Sequence, residues 1–358
     1  MMSAVFAIPG DKDQRTGGYI YDATVLDLLN QIGCPTAHLE LPGSFPNAPA
    51  HDMEAALNAL RAVPASTPVI VDGLALGAMP PEGVASIAAP VIALVHHPLG
   101  LETGTDPARA QDLIRNEAAV LEHVAHVIVT STHIGQTLWA DFGVSPDRIT
   151  VASPGFLRPM TGSAPVSPPL ILSVGLLSSR KGHDVLVSAL AQIADLPWQA
   201  EIIGRPQDPN YTAELRSQIS NAELANRIQL RGEVDGAAIE DAYRRASMFA
   251  LATRYEGYGM VLSEAMLHGL PVVSCAVGAV PETVGHAGRL VPADQPDAFA
   301  AELRTLLEDP DKLAKAAHAS LEQSAGLPSW HDTTRHFADV IKRVAESLAP
   351  PFPSGPTK

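Results

Sequence analysis

Short apolar runs recur along the chain. Between them, apolar residues return at the three-to-four-residue spacing of a helix face. In the first half the runs are AVFAIPG, PTAHLEL, TPVIVDG, APVIALVHHP, HVIVTS and RITVASPG. Helical spacing there predicts helices over residues 19–31, 53–61 and 112–125, and another that Thr130 or Ser131 caps and that runs to Phe142. In the second half the runs are LILSVG, WQAEIIG, RIQLRG, SMFALAT, PVVSCAV and GRLVP. The helices predicted around them cover residues 184–193, 211–222 and 237–245, a stretch from Met260 that Gly269 and Pro271 stop, then 296–307, 311–324 and 330–347. The runs are β-branched and bounded by Pro and Gly, which predicts parallel strands buried on both faces.

Strict alternation of strand and helix, broken once, predicts two βα domains with a ligand cleft between them. The break is the Pro-, Ser- and Gly-rich segment 159–169, read as a linker. It separates a domain over 1–158 from one over 170–327. The terminal PPFPSGPTK reads as a loose tail.

The stretch RYEGYGMVLSEAMLHGLPVVS, 254–274, follows a strand, turns on Gly257 and Gly259, and becomes a helix at Met260. Glu256 lies in the turn and Glu264 a little over one turn into the helix. In open α/β sheets, ligands sit at the carboxyl ends of strands beside helix N-termini. The segment VGLLSSRKGHDVLVSAL, 174–190, has the same strand-then-helix form and brings Arg180 and Lys181 to a helix start. A cation there opposes the helix dipole, a cost that points to a bound anion. After the first strand, Gly17 and Gly18 precede a helix, and His96 and His97 close the strand VIALV.

The E-x7-E spacing of Glu256 and Glu264 resembles the signature of retaining glycosyltransferases of the two-domain GT-B type, and is most similar to family 4, also called group 1. The resemblance implies an α/β fold of GT-B architecture: two Rossmann-like, doubly wound parallel-sheet domains facing a deep cleft, with helix 330–347 crossing back onto the first. It implies that Glu264 holds the nucleotide ribose. Glu256, Gly257, Tyr258, Gly259 and Met260 face the donor sugar. Arg180 and Lys181 hold the diphosphate, and Arg231 to Val234 lie by the base, mostly through backbone groups. Gly17 and Gly18 approach phosphate or acceptor, and His96, with His97 as the alternative, positions the sugar. Glu117 sits where many relatives also have Glu, and Glu282 in GAVPETVG has a structural reading. The sequence departs from the family at Leu176, where relatives often carry Arg.

Net charge is −15, which argues against a nucleic-acid partner and weakens attraction to anionic membranes. Cys34 and Cys275 sit in apolar strand contexts and read as buried thiols of a reducing compartment. MMSAVFAIPG lacks a basic n-region, and no segment is apolar enough to span a bilayer. The expectation is a cytoplasmic protein, with peripheral contact at the inner membrane face left open. Asp11 and Asp13 spell D-x-D but follow the first strand and read as a charged loop. His123 and His126 read as one helical face without a third zinc ligand.

These readings converge on a retaining, metal-independent glycosyltransferase. It would use a UDP- or GDP-sugar as co-substrate, no resident cofactor, and a hydroxyl acceptor that is lipid-linked, polymeric or small and polar. The alternatives are a nucleotide-sugar 2-epimerase on the same scaffold and a nucleotide-sugar-binding protein without turnover.

Overall fold

The computed structural model describes residues 4–159 and 162–348. The segment predicted as a loose tail lies outside the described residues. The chain divides into two compact units. The first spans Met1–Leu101, Thr105–Gly155 and Pro328–Lys358; the second spans Glu102–Gly104 and Phe156–Leu327.

The first unit carries β1 (Ala4–Pro9), β2 (Thr36–Leu41), β3 (Val69–Asp72), β4 (Val91–Val95), β5 (His126–Val129) and β6 (Ile149–Val151). They form one sheet in the order β2-β1-β3-β4-β5-β6, and every pair is parallel. The strand order reverses between β1 and β3. Such a reversal opens a crevice beyond the carboxyl ends of the two strands, because their following helices go to opposite faces. The long helix Trp330–Ser347 belongs to this unit. A reciprocal Ser329–Asp332 capping box starts it. Its Phe337, Val340, Ile341 and Val344 pack with Phe6, Tyr21, Val25 and Leu29.

The second unit carries β7 (Leu170–Val174), β8 (Gln199–Ile203), β9 (Ile228–Gly232), β10 (Met248–Leu251), β11 (Val272–Cys275) and β12 (Gly288–Val291). Their order is β12-β11-β10-β7-β8-β9, again all parallel. This is the Rossmann order, with its reversal between β7 and β10. Apolar clusters pack on both faces: Trp198, Leu215 and Phe299 in one, Tyr243, Phe249 and Met266 in the other.

Both sheets are the doubly wound parallel sheets expected. Several details differ. The first helix is Gly17–Gln31, so Gly17 and Gly18 form its opening turn instead of a loop before it; glycine's poor helix propensity hid the start. The helix expected over 112–125 is Pro107–Glu122, begun by an Asp106 cap and Pro107 at its first position. His126 therefore starts β5, where Nε2 lies 2.8 Å from Thr150 Oγ1, and shares no helix with His123. Short helices at Gly73–Leu76, Pro81–Ala85 and Val280–Val284 are too brief for periodicity to reveal.

Candidate functional site

The segments that follow β7 and β10 meet at the strand-order reversal of the second unit. After β7, residues 175–182 pass through a 3-10 turn, Ser179–Lys181, into helix His183–Ala191. After β10, residues 252–259 lead into helix Met260–Leu267. Gly182, with φ +63°, lets the first segment pass against the second; a Cβ there would collide with the Ala252 carbonyl.

These segments bring Lys181 and Glu256 together, 2.7 Å apart and both buried. Thr253 Oγ1 donates to the same Glu256 oxygen at 2.9 Å, and Arg180 lies 3.6 Å from the other. Burial alone would raise the Glu256 carboxyl. Lys181 and Arg180, with the hydrogen bonds from Lys181 and Thr253, outweigh it and hold the carboxyl below the ordinary range. Burial pulls the Lys181 ammonium down against the opposing pull of Glu256. Arg180 also donates to the Tyr255 carbonyl at 3.0 Å and pairs with Glu102 at 3.1 Å. Two cations and a carboxylate are thus fixed beyond the adjacent carboxyl ends of β7 and β10.

Glu264 projects from the next helix and accepts from Tyr243 Oη at 2.9 Å. Burial raises its carboxyl. Gly259, with φ +89°, caps this helix, and Tyr258 stacks on Phe156 at 6.2 Å. Ala279 N donates to the Glu256 carbonyl. Gly278 is forced there, since a Cβ would collide with the Glu256 backbone. Arg231 lies on edge strand β9, its side chain 3.4 Å from Glu201; Val234 follows two residues beyond the strand. Leu176, where the sequence lacks the family's arginine, is half-buried beside Gly175. Glu282 is exposed.

In the first unit the structure joins Gly18 to His96. A Cβ on Gly18 would lie 3.7 Å from the His96 ring. His96 Nε2 is 2.8 Å from Asp22 Oδ1, and Tyr21 meets the ring edge-on at 5.1 Å. Glu117 is buried and accepts from Leu99 N at 3.0 Å, bracing the segment after His96. Asp11, Lys12 and Asp13 form a local charged turn.

Sequence reasoning missed Asp22, Asp72, Tyr243 and Thr253. Asp22 falls within the helix predicted over residues 19–31 and is fully buried. The available signal was its place, one turn beyond two glycines after a strand. His183 is fully buried, and burial pulls it down to about 4, so it stands as a neutral ring.

Residues 162–323 match the family model described as glycosyl transferases group 1, a stretch that holds Arg180, Lys181, Glu256 and Glu264. D-inositol 3-phosphate glycosyltransferase 2 of Catenulispora acidiphila is 28% identical over 72% of this chain. The match covers 66% of that relative, so the chain spans just under two thirds of its length. Lipopolysaccharide core biosynthesis mannosyltransferase LpsB of Rhizobium meliloti is 32% identical over half of each chain. Among solved structures, sucrose-phosphate synthase from Thermosynechococcus elongatus superposes with a TM-score of 0.78 at 20% identity, covering 97% of this chain and 100% of that one. Anabaena Alr3699/HepE, solved with UDP and glucose, gives 0.75 at 19% identity, covering 96% and 100%. The fold is therefore the two-domain α/β fold of GT-B type. Within it, the second unit carries the group 1 glycosyltransferase match.

Proposed function

We propose that this chain is a retaining glycosyltransferase of family 4 that moves a sugar from a nucleoside-diphosphate donor to a hydroxyl acceptor. The observation that carries the reading is the cluster of Lys181, Arg180 and Glu256 at the reversal point of a Rossmann sheet, within the matched stretch. Expulsion of a nucleoside diphosphate builds negative charge on its β-phosphate. Cations already held in place stabilise that charge without reorganisation at the moment of reaction. Glu256 fixes Lys181 and, with residues 257–260, faces the sugar. Glu264, held by Tyr243, accepts from the ribose hydroxyls. Arg180 takes the phosphate contact that Leu176 does not supply.

On this reading the first unit takes the acceptor, and His96 has the sugar-positioning role. The acceptor attacks from the face that the diphosphate leaves, with that phosphate taking the proton. The reaction uses no resident metal or cofactor. The relatives' names speak of an inositol phosphate and of lipopolysaccharide core, which suggests a polyol or glycolipid acceptor class. Among the described residues no helix is long and apolar enough to cross a membrane. We place the reaction in the cytoplasm, with any membrane contact peripheral.

Purified protein is incubated with a panel of UDP- and GDP-sugars, with and without polyol and glycolipid acceptors, and early products are read by proton NMR. Acceptor-dependent release of nucleotide, with the donor's anomeric configuration kept in the product, is expected. Inversion of configuration would overturn the retaining assignment, and release of a glycal with free nucleotide would favour the epimerase.

A further inference from the structure

Arg254 stands two residues before Glu256, and its side chain reaches the segments that follow two other strands of the second unit. Nη1 and Nη2 donate to the two carboxylate oxygens of Asp184, at 3.0 and 2.7 Å. Nη1 also donates to the Ser179 carbonyl, and Nε donates to Asp294 Oδ1 at 2.8 Å. Ser179 and Asp184 follow β7, and Asp294 follows β12. The Arg254 backbone N–H donates to the Arg180 carbonyl at 2.8 Å. We propose that Arg254 is a positioning residue that holds Arg180, Lys181 and Glu256 in place for a diphosphate without touching the ligand itself. The inference rests on the reading of Arg180 and Lys181 as the phosphate cations.

The bonds engage all three guanidinium nitrogens, and the side chain is 18% exposed. Two carboxylates face its single charge, so it has little to offer a phosphate. A planar fork can bridge several loops at once. A lysine ammonium is a point charge on a flexible stem and cannot reproduce that geometry. Asp184 is itself fixed. Its Oδ1 accepts from Tyr211 Oη at 2.8 Å, and its own N–H donates back to that oxygen at 3.1 Å. Burial would raise the Asp184 carboxyl, yet the hydrogen bonds from Arg254 and Tyr211 outweigh it and hold the carboxyl below the ordinary range. Asp294 has φ +56°, a left-handed conformation that few residues besides glycine visit, and the bond to Arg254 ties that turn down.

Lys181 and Glu256 join the same two segments, 2.7 Å apart. A diphosphate competes with Glu256 for the Lys181 ammonium, so that contact weakens just when a ligand is bound. The side-chain bonds of Arg254 use none of the three groups that face the ligand, and they survive the competition. Cations fixed in advance need no ordering when the ligand binds or when charge develops on it.

The test uses the full chain as wild type, Arg254→Lys, Asp184→Asn, the two combined, and Arg245→Met. Arg245 is the control. It bonds Glu201 and Asp241 and is 24% exposed, but it ends helix Gly236–Arg245, at the amino end of β10. Hydrogen exchange of residues 175–182 and 252–259 is measured without ligand. Inorganic pyrophosphate, UDP and GDP are titrated by calorimetry, and urea denaturation checks that each variant is folded. Arg254→Lys and Asp184→Asn should each speed exchange in both segments about tenfold, as local opening becomes easier. Each should weaken pyrophosphate, and the nucleotide that binds, about tenfold, the scale of re-ordering two long side chains on binding. The combined variant should cost about as much as the larger single change, because both break one clamp. Arg245→Met should stay within about twofold of wild type in both readouts. The proposal is overturned by exchange that neither variant speeds, by faster exchange with unchanged affinity, or by an equal loss of affinity in Arg245→Met. Tighter binding by Asp184→Asn would also overturn it, since a freed Arg254 would then be a phosphate ligand itself. Failure of wild type to bind any of the three probes would count against the transferase reading, and the ligand-free exchange rates would still decide for or against Arg254 as the clamp.

Discussion

Lys181 Nζ and Glu256 Oε1 are 2.7 Å apart, bridging two loops that are 75 residues apart in sequence. The pair is buried and further bonded by Thr253, so each partner offsets the other's desolvation. Lys181→Met leaves Glu256 with Arg180, at 3.6 Å, as its cationic neighbour among the described residues. It should cost about 3 kcal/mol of stability, the lower end for breaking a buried pair. The Lys181→Met/Glu256→Gln double variant should lose less than the sum of the single losses. Urea denaturation of the four proteins checks this; additive losses would mean that the pair is not coupled.

Arg180 is tied to the Tyr255 carbonyl and to Glu102, and does not stand free in solvent. If it replaces the contact missing at Leu176, Arg180→Ala should slow transfer about 10²-fold, like Lys181→Ala, or roughly 2.7 kcal/mol. The double variant should cost less than the sum, because both side chains serve one charge. Leu176→Arg added to Arg180→Ala should recover part of the rate. Initial transfer rates within about twofold of wild type for Arg180→Ala would assign the phosphate to Lys181 alone.

The sheets were legible because their strands are continuous apolar runs bounded by Pro and Gly, and residues 248–251 or 170–174 leave little ambiguity. Lys181, Glu256 and Glu264 were legible because they flank glycine turns at strand ends. That Lys181 would pair with Glu256 was not, since it depends on the adjacency of β7 and β10, which no local spacing encodes. Asp22 illustrates the same limit. A carboxylate in a helical pattern reads as solvated, yet this one is fully buried, beside Asp72 at the end of β3 and His96 after β4. Gly17 and Gly18 misled in the opposite sense, since residues that usually interrupt helices here begin one.

Gly278 has φ +52°, and a Cβ there would collide with the Glu256 backbone. Gly278→Ala should cost more than about 1 kcal/mol and also weaken donor binding, because the loop that carries Glu256 must shift. Gly33 is the control: its φ is +84° but nothing lies within 4 Å of its Cβ. Gly33→Ala should cost about 1–2 kcal/mol from the left-handed backbone alone and leave donor affinity unchanged. Thermal unfolding and nucleotide titration of both variants separate strain from loop displacement.

Glu117 is buried, and that burial raises its carboxyl to about 8 against the backbone hydrogen bond from Leu99, which lowers it. A carboxyl raised on folding binds its proton more tightly in the native state. Its contribution is full below the unfolded value, near 4.5, and is lost as pH rises through about 8. The loss across that window is on the order of 4–5 kcal/mol for this group. Glu117→Gln keeps an acceptor for Leu99 N and cannot ionise, so its stability should fall less between pH 5 and 9. Parallel denaturation profiles for the two proteins over that range would show that Glu117 is not the titrating group.

The central claim is that the Rossmann crevice of the second unit binds the nucleoside diphosphate of a sugar donor, with Glu264 on the ribose. Calorimetric titration of UDP and GDP into the full chain, with and without excess EDTA, tests it most directly. One of the two should bind wild type with affinity unchanged by the chelator. Glu264→Ala, still folded, should bind it about tenfold more weakly, the loss of charge-assisted bonds to a diol. Binding of neither nucleotide, affinity that vanishes with EDTA and returns with magnesium, or equal affinity in Glu264→Ala would contradict the account.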